Sequence, residues 1–268
     1  MHVERQREAM TGFVSIDQAD TIATVTLANP ERMNALDTTM WRELEKAFVA
    51  LSADERLRCV ILRGAGDKAF AAGADVAEFA TVRSNRAQAM DYARMTHPAL
   101  QAVAHCIHPV VAQIHGACVG GGLEIASMCD IRICGESSRF GIPIKRLGLV
   151  VSYHELAGLI ALVGGATALE ILLEGRVFGA AEALAKGLVT RVVPDDEVAG
   201  EVGDAASRIV EGAPLVARWH KRFVRRLADP APIADDEMQE CYACFDTEDF
   251  RIGYQAFLGK RKAVFAGR

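Results

Sequence analysis

Residues 119–130 read VGGGLEIASMCD: three consecutive glycines, then Glu124 alone at the start of an apolar helix. Glycine lets the main chain come close to a bound group, and the first turn of a helix points unpaired N–H groups and its positive dipole end outward. Such a turn can hold an oxyanion, and a carboxylate in its first helical turn is favoured by the dipole whether or not it does chemistry. A second small-residue stretch, AAGAD, offers another exposed N–H at Ala72, Gly73 and Ala74. Two N–H donors from separate strands that converge on one carbonyl oxygen stabilise an enolate or a tetrahedral anion.

Other chemistries lack their residues. Neither glycine segment spells G-x-G-x-x-G, no phosphate loop ends in Gly-Lys-Ser/Thr, and neither a G-x-S-x-G elbow nor an H-E-x-x-H helix occurs. The 7 cysteines are an odd number between Cys59 and Cys244 and form no disulfide framework. Cys241 and Cys244 make a C-x-x-C without a second pair or a histidine at ligand spacing, so no metal site is expected.

The elements that must position the glycine loops follow from pattern. Residues 13–30, FVSIDQADTIATVTLANP, are two β-type runs around a polar turn, a hairpin. Asp37 is an N-cap for the next helix, whose Met40, Leu44, Phe48 and Leu51 share one face. RCVILRG at 58–64 is a buried strand, residues 84–106 a helix, and HPVVAQIHGACVGGG brings a second strand into the glycine cluster. CDIRICGESSRFGIP repeats strand and turn. Strand, glycine loop and helix recur, which predicts an α/β fold with ligand contacts at strand ends. From about residue 195 the pattern is helical to Arg268, dividing the chain into a core over 1–195 and a helical region over 196–268.

Length and charge bound the rest. A chain of 268 residues, 51% hydrophobic, can bury roughly 70–75% of its unfolded surface. A net charge of -5 gives no general reason to expect nucleic acid. The cluster of His220, Lys221, Arg222, Arg225 and Arg226 reads as a solvated helix face or a subunit contact. MHVERQREAM resembles neither a secretory signal nor a transit peptide, and no uninterrupted apolar run approaches the ~20 residues of a membrane span. The expected location is the cytoplasm, with no membrane partner.

Three longer segments carry a resemblance. KAFAAGADVAEF (68–79), HGACVGGGLEIASMCDIRI (115–133) and EGRVFGAAEALAKGLVTRVVP (174–194) are together similar to the crotonase family, also called the enoyl-CoA hydratase/isomerase superfamily. The likeness runs from NPERMNAL at 29–36 to FRIGYQAFLGKRKAVFAGR at the C-terminus. It implies a crotonase-like spiral of stacked ββα units, followed by helices that build trimers or hexamers. It further implies an enzyme acting on an acyl-CoA thioester, with coenzyme A as part of the substrate and no separate cofactor. The oxyanion donors implied are the N–H groups of Ala74 and Gly121, with Gly73 and Gly120 shaping their loops and Asp75 supporting the first. The adenine pocket would use main chain near Arg32, Met33 and Ala72, and Lys260 would hold the nucleotide end.

The sequence departs from the hydratase pattern at one point. Glu124 matches the first of two hydratase glutamates, and the second belongs to a segment like FGxPE, which here reads FGIPIKRLGLV with Ile144 at the matching position. Isoleucine cannot move a proton, and general acid–base help is worth ~10² to 10⁴ in rate. Where the family has a glycine-rich helix start, this chain has VSYHELAGL, so Tyr153, His154 and Glu155 stand where a helix should face the acyl pocket. Ser152 and Glu155 also have the spacing of a capping box, so Glu155 has two readings. His154 is of a side-chain type that suits proton transfer. His105, His108 and His115 read as structural. Hydration, atypical isomerisation or decarboxylation through His154 or Glu155, and silent acyl-CoA binding all remain open.

Overall fold

The computed structural model describes residues 12–268; the N-terminal decapeptide read against a targeting signal lies outside them. The hairpin is present: β1 (Phe13–Ala19) pairs antiparallel with β2 (Ile22–Ala28), with Ala19 opposite Ile22. Asp37 caps α1 (Thr38–Ala53) by accepting from Met40 N at 2.8 Å, and Met40, Leu44, Phe48 and Leu51 are buried on its inner face.

Three turns of a spiral follow. Each lays one strand in a large sheet and the next in a small one: β3 (Cys59–Gly64) then β4 (Ala69–Ala71), β5 (Val110–Ile114) then β6 (Ala117–Val119), β7 (Ile131–Gly135) then β8 (Arg139–Gly141). Between them run the short α2 (Phe79–Val82), α3 (Arg86–His105) and α4 (Gly121–Met128). After β8 come α5 (Tyr153–Glu174), β9 (Phe178–Gly179), α6 (Ala180–Ala185) and β10 (Arg191–Val193). The large sheet has the order β1-β2-β3-β5-β7-β10 and the small one β4-β6-β8-β9. Since β3-β5-β7 and β4-β6-β8 are parallel neighbours, each turn stacks on the last, giving the expected α/β spiral of ββα units. The second strand of each turn is only three residues long, too short for an alternating pattern to mark it in the sequence.

α7 (Val198–Val210) lays Val198, Val202, Ala205 and Ala206 against Cys59, Val111 and Ile133 of the large sheet. α8 (Pro214–Arg226), α9 (Asp235–Glu240) and α10 (Glu248–Leu258) complete the chain. The helical expectation fails beyond Leu258. The helix stops at Gly259, Lys260 turns with φ +50, and residues 262–268 run without regular structure. Asp249 holds this tail by accepting from Ala266 N at 2.6 Å, and Arg58 donates to Phe265 O at 2.6 Å.

α5 needs a second qualification. By length and composition it is apolar enough to cross a membrane, unlike anything expected from uninterrupted runs. Gly164 breaks it with φ 72 and ψ 165, so 153–163 and 165–174 are separate arms.

Candidate active site

Both glycine segments end at one place. The AAGAD loop is clamped onto residues 33–36 by Ala72 N to Met33 O (3.0 Å), Leu36 N to Gly73 O (2.8 Å) and Asp75 N to Leu36 O (2.8 Å). Gly73 takes φ +102, a conformation that L side chains rarely adopt, and this turns the N–H of Ala74 away from the clamp. Asp75 closes the loop: it accepts from Ala77 N at 3.0 Å and forms an ion pair with Arg32. Gly120, at φ +53, donates to Gly141 O at 2.9 Å and launches α4, leaving the N–H of Gly121 at the first helical position. Neither the Ala74 nor the Gly121 N–H has a protein acceptor among the described residues. A Cβ placed on Gly121 would lie 3.5 Å from Ala74 N, so the two donors are neighbours.

They open into a cavity of about 300 Å³ that also takes in Glu124, Ile144 and Glu155. Glu124 occupies the first turn of α4 and is 9% exposed. Burial, reinforced by the Glu155 charge and partly offset by Arg83, pushes its carboxyl up to about 8. Glu155 makes the capping box and also lines the cavity. Its Oε2 accepts from Ser152 N at 2.6 Å while Ser152 Oγ accepts from Glu155 N at 3.4 Å, a complete capping box. The same buried side chain lines the cavity, because the box aims the first turn of α5 at α4.

His154 is not brought to the cavity. It is exposed and stacks on His97, ring centroids 4.4 Å apart, while His97 Nε2 meets Ser152 Oγ at 3.0 Å. Arg32, Met33 and Lys260 lie outside the lining as well; Ala72, Gly73 and Gly120 belong to it. His108 is fully buried, bonds Leu51 O through Nε2 at 3.1 Å, and burial lowers its pKa to about 4. Burial also lowers His105 and His115. In the basic cluster, Lys221 is not solvated: its Nζ reaches Asp130 at 2.6 Å with the side chain 8% exposed, and Arg225 joins the same carboxylate at 3.0 Å. Among the described residues no three His, Cys, Asp or Glu side chains group as metal ligands.

Polar and aromatic lining residues not singled out from the sequence include Trp41 of α1, Arg83 after α2, and Tyr92 and Thr96 of α3. Trp41 Nε1 donates to Tyr92 Oη at 2.9 Å. The available signal was helical spacing, since Tyr92 and Thr96 stand four apart on a buried face otherwise made of Ala99, Leu100 and Val103.

The family model described as "Enoyl-CoA hydratase/isomerase" matches residues 17–268. A probable enoyl-CoA hydratase of Rhizobium meliloti (strain 1021) is 35% identical over 250 residues, covering 92% of this chain and 95% of the relative. The short-chain-enoyl-CoA hydratase of Clostridium acetobutylicum is 32% identical over 93% of this chain and 95% of its own. Among solved structures, an enoyl-CoA hydratase/carnithine racemase from Magnetospirillum magneticum is 51% identical with a TM-score of 0.94, covering 95% of this chain and 96% of that one.

Proposed function

The chain belongs to the enoyl-CoA hydratase/isomerase family of the crotonase superfamily and is an acyl-CoA enzyme of that class; from this premise we propose that it adds water to an α,β-enoyl-CoA thioester. The observation that carries the proposal is the convergence of two acceptor-free N–H groups, Ala74 and Gly121, with two carboxylates, Glu124 and Glu155, on one cavity.

In this reading the thioester carbonyl oxygen accepts from both N–H groups. Each donor is worth about 10² to 10³ in rate, because charge grows on that oxygen in the transition state. Glu155 takes the proton of a water whose oxygen bonds to the β carbon, and the π electrons move onto the carbonyl oxygen as an enolate. Its Oε2 is engaged by Ser152 N, and Oε1 is the acceptor for the water proton. Glu124 then gives a proton to the α carbon as the enolate collapses, a role that its raised pKa suits. Proton exchange between the carboxylates resets the pair. Glu155 thereby does from the start of α5 what Ile144 cannot do from its own position.

Coenzyme A enters as part of the substrate, and its nucleotide end would lie along the main chain of Arg32, Met33 and Ala72, with Lys260 as a further contact. A trimeric assembly is part of the same proposal: Leu169, Leu173, Phe257 and Leu258 are 57–84% exposed, apolar surface that a second copy would cover. A second reading, isomerisation by Glu124 alone, draws on Ile144 in the cavity lining.

The test is loss of enoyl absorbance with crotonyl-CoA, compared with Glu124→Gln and Glu155→Gln. Hydration abolished by either change is expected. Hydration that survives Glu155→Gln would refute the role of that residue, and double-bond migration without hydration would favour the second reading.

A further inference from the structure

Beside Glu124 and Glu155, the cavity is lined by three side chains whose donors have no described acceptor: Arg83, Tyr92 and Thr96. Arg83 lies half-buried with its guanidinium 5.2 Å from the Phe79 ring centroid and 5.0 Å from that of Tyr92. It makes no ion pair with any described carboxylate, and its side chain donates no hydrogen bond within the described protein. Glu78, which precedes it on the same segment, is occupied by Thr38, accepting from its N at 2.9 Å and its Oγ1 at 3.2 Å. Glu124 is protonated over much of the neutral range and is a poor counter-ion.

Two hydroxyls stand on the same wall. Tyr92 Oη already accepts from Trp41 Nε1, so its own proton is free to donate. Burial drives the Tyr92 pKa upward, which keeps that proton in place. Thr96 is 2% exposed, and its Oγ1 is buried without any hydrogen-bond partner. A threonine in mid-helix commonly bonds back to the preceding turn, and a buried polar atom left unpaired is destabilising. None of these arginine, tyrosine and threonine donors meets an acceptor among the described residues, and together they suit an acceptor-only guest.

We propose that this cavity selects acyl-CoA thioesters whose acyl chain ends in a carboxylate, held by Arg83 with the hydroxyls of Tyr92 and Thr96. This rests on the acyl-CoA reading of the site and adds a substrate class to it. A carboxylate offers two oxygens to the guanidinium fork and further lone pairs to the hydroxyls. A methyl-ended chain leaves all three donors dry and unpaired. Arg146, exposed at the cavity lining, is a second cation that would repel a positively charged tail.

The phosphates of coenzyme A are the other source of an anion for Arg83, and the experiment separates the two. Calorimetry with glutaryl-CoA and butyryl-CoA, saturated thioesters that differ in the terminal carboxylate, measures preference without turnover. Wild-type protein is expected to bind glutaryl-CoA roughly 10- to 100-fold more tightly, the range of a desolvated charge-assisted contact. Arg83→Met should erase that ratio, Arg83→Lys should restore part of it, and Thr96→Val should lower it severalfold. Equal binding of the two thioesters by wild-type protein overturns the proposal with no variant needed. A drop of the same factor for both ligands in Arg83→Met also overturns it, since the contact would then be to phosphate. Because no reaction is followed, a preference for glutaryl-CoA stands even if hydration fails, and its absence refutes the substrate class even if hydration succeeds.

Discussion

Glu124 gives the strongest quantitative handle on the site. Its carboxyl titrates near 4.5 in an unfolded chain and is pushed to about 8 in the folded one, burial being the largest cause and the Glu155 charge the next. The sign follows from proton counting: the folded state holds the proton more tightly, so the group's contribution is fully present below pH 4.5 and is lost as pH rises through 8. Across that window the loss is about 1.4 kcal/mol per pH unit, saturating at about 5 kcal/mol. Glutamine at 124 cannot ionise and escapes the loss. The stability of Glu124→Gln over wild type should therefore be about 2 kcal/mol at pH 6 and about 4–5 kcal/mol at pH 9, a gap that widens by about 2–3 kcal/mol. Urea unfolding at pH 6, 7.5 and 9 and constant ionic strength measures it. A difference constant to within about 0.5 kcal/mol over that range would refute the burial argument, because it would mean that Glu124 titrates equally in both states. The same carboxyl should shape activity: turnover falls as pH rises above about 8, when the proton donor is lost.

Other perturbations read other parts of the site. Gly121→Ala places a methyl 3.5 Å from Ala74 N and 3.3 Å from Trp41 Cζ2 without demanding an unusual φ. Steady-state kinetics should show kcat down by about 10² to 10³, while thermal melts show less than about 1 kcal/mol of change. Glu155→Gln keeps the acceptor for Ser152 N and so should leave the melting temperature nearly unchanged while removing about 10² to 10⁴ of turnover. Glu155→Ala should lose the cap as well, about 1 kcal/mol by urea titration. Asp130→Asn leaves Lys221 buried beside a neutral amide and should cost about 3 kcal/mol, largely recovered on adding Lys221→Met, a double-mutant comparison by urea unfolding.

Short-range chemistry was legible along the chain. Asp37 caps its helix, Ser152 and Glu155 form their box, and the alternation in residues 13–30 makes a hairpin, because each depends on residues within a turn or across one tight loop. The family motifs carried the α/β spiral, since ordered glycine loops at set spacing mark where strands must end. Predictions from pattern alone failed where a neighbour distant in sequence intervened. The C-terminal stretch leaves the helix at Gly259 and is held by Asp249 and Arg58, and Lys221 turns inward because β7 begins beside Asp130. Composition likewise could not show that Gly164 breaks the apolar α5.

The sequence by itself determined that Glu124 lacks its usual second glutamate, and that Glu155 and His154 stood near enough to replace it. Only the tertiary structure shows which of the two lies at the cavity. The rotation of the first turn of α5, set by its cap, buries Glu155 against the cavity and leaves His154 exposed on His97. One helical position separates the two residues, and about 100° of rotation separates their directions. Adjacency in sequence could not choose which faces Glu124; the packing of α5 on α4 could.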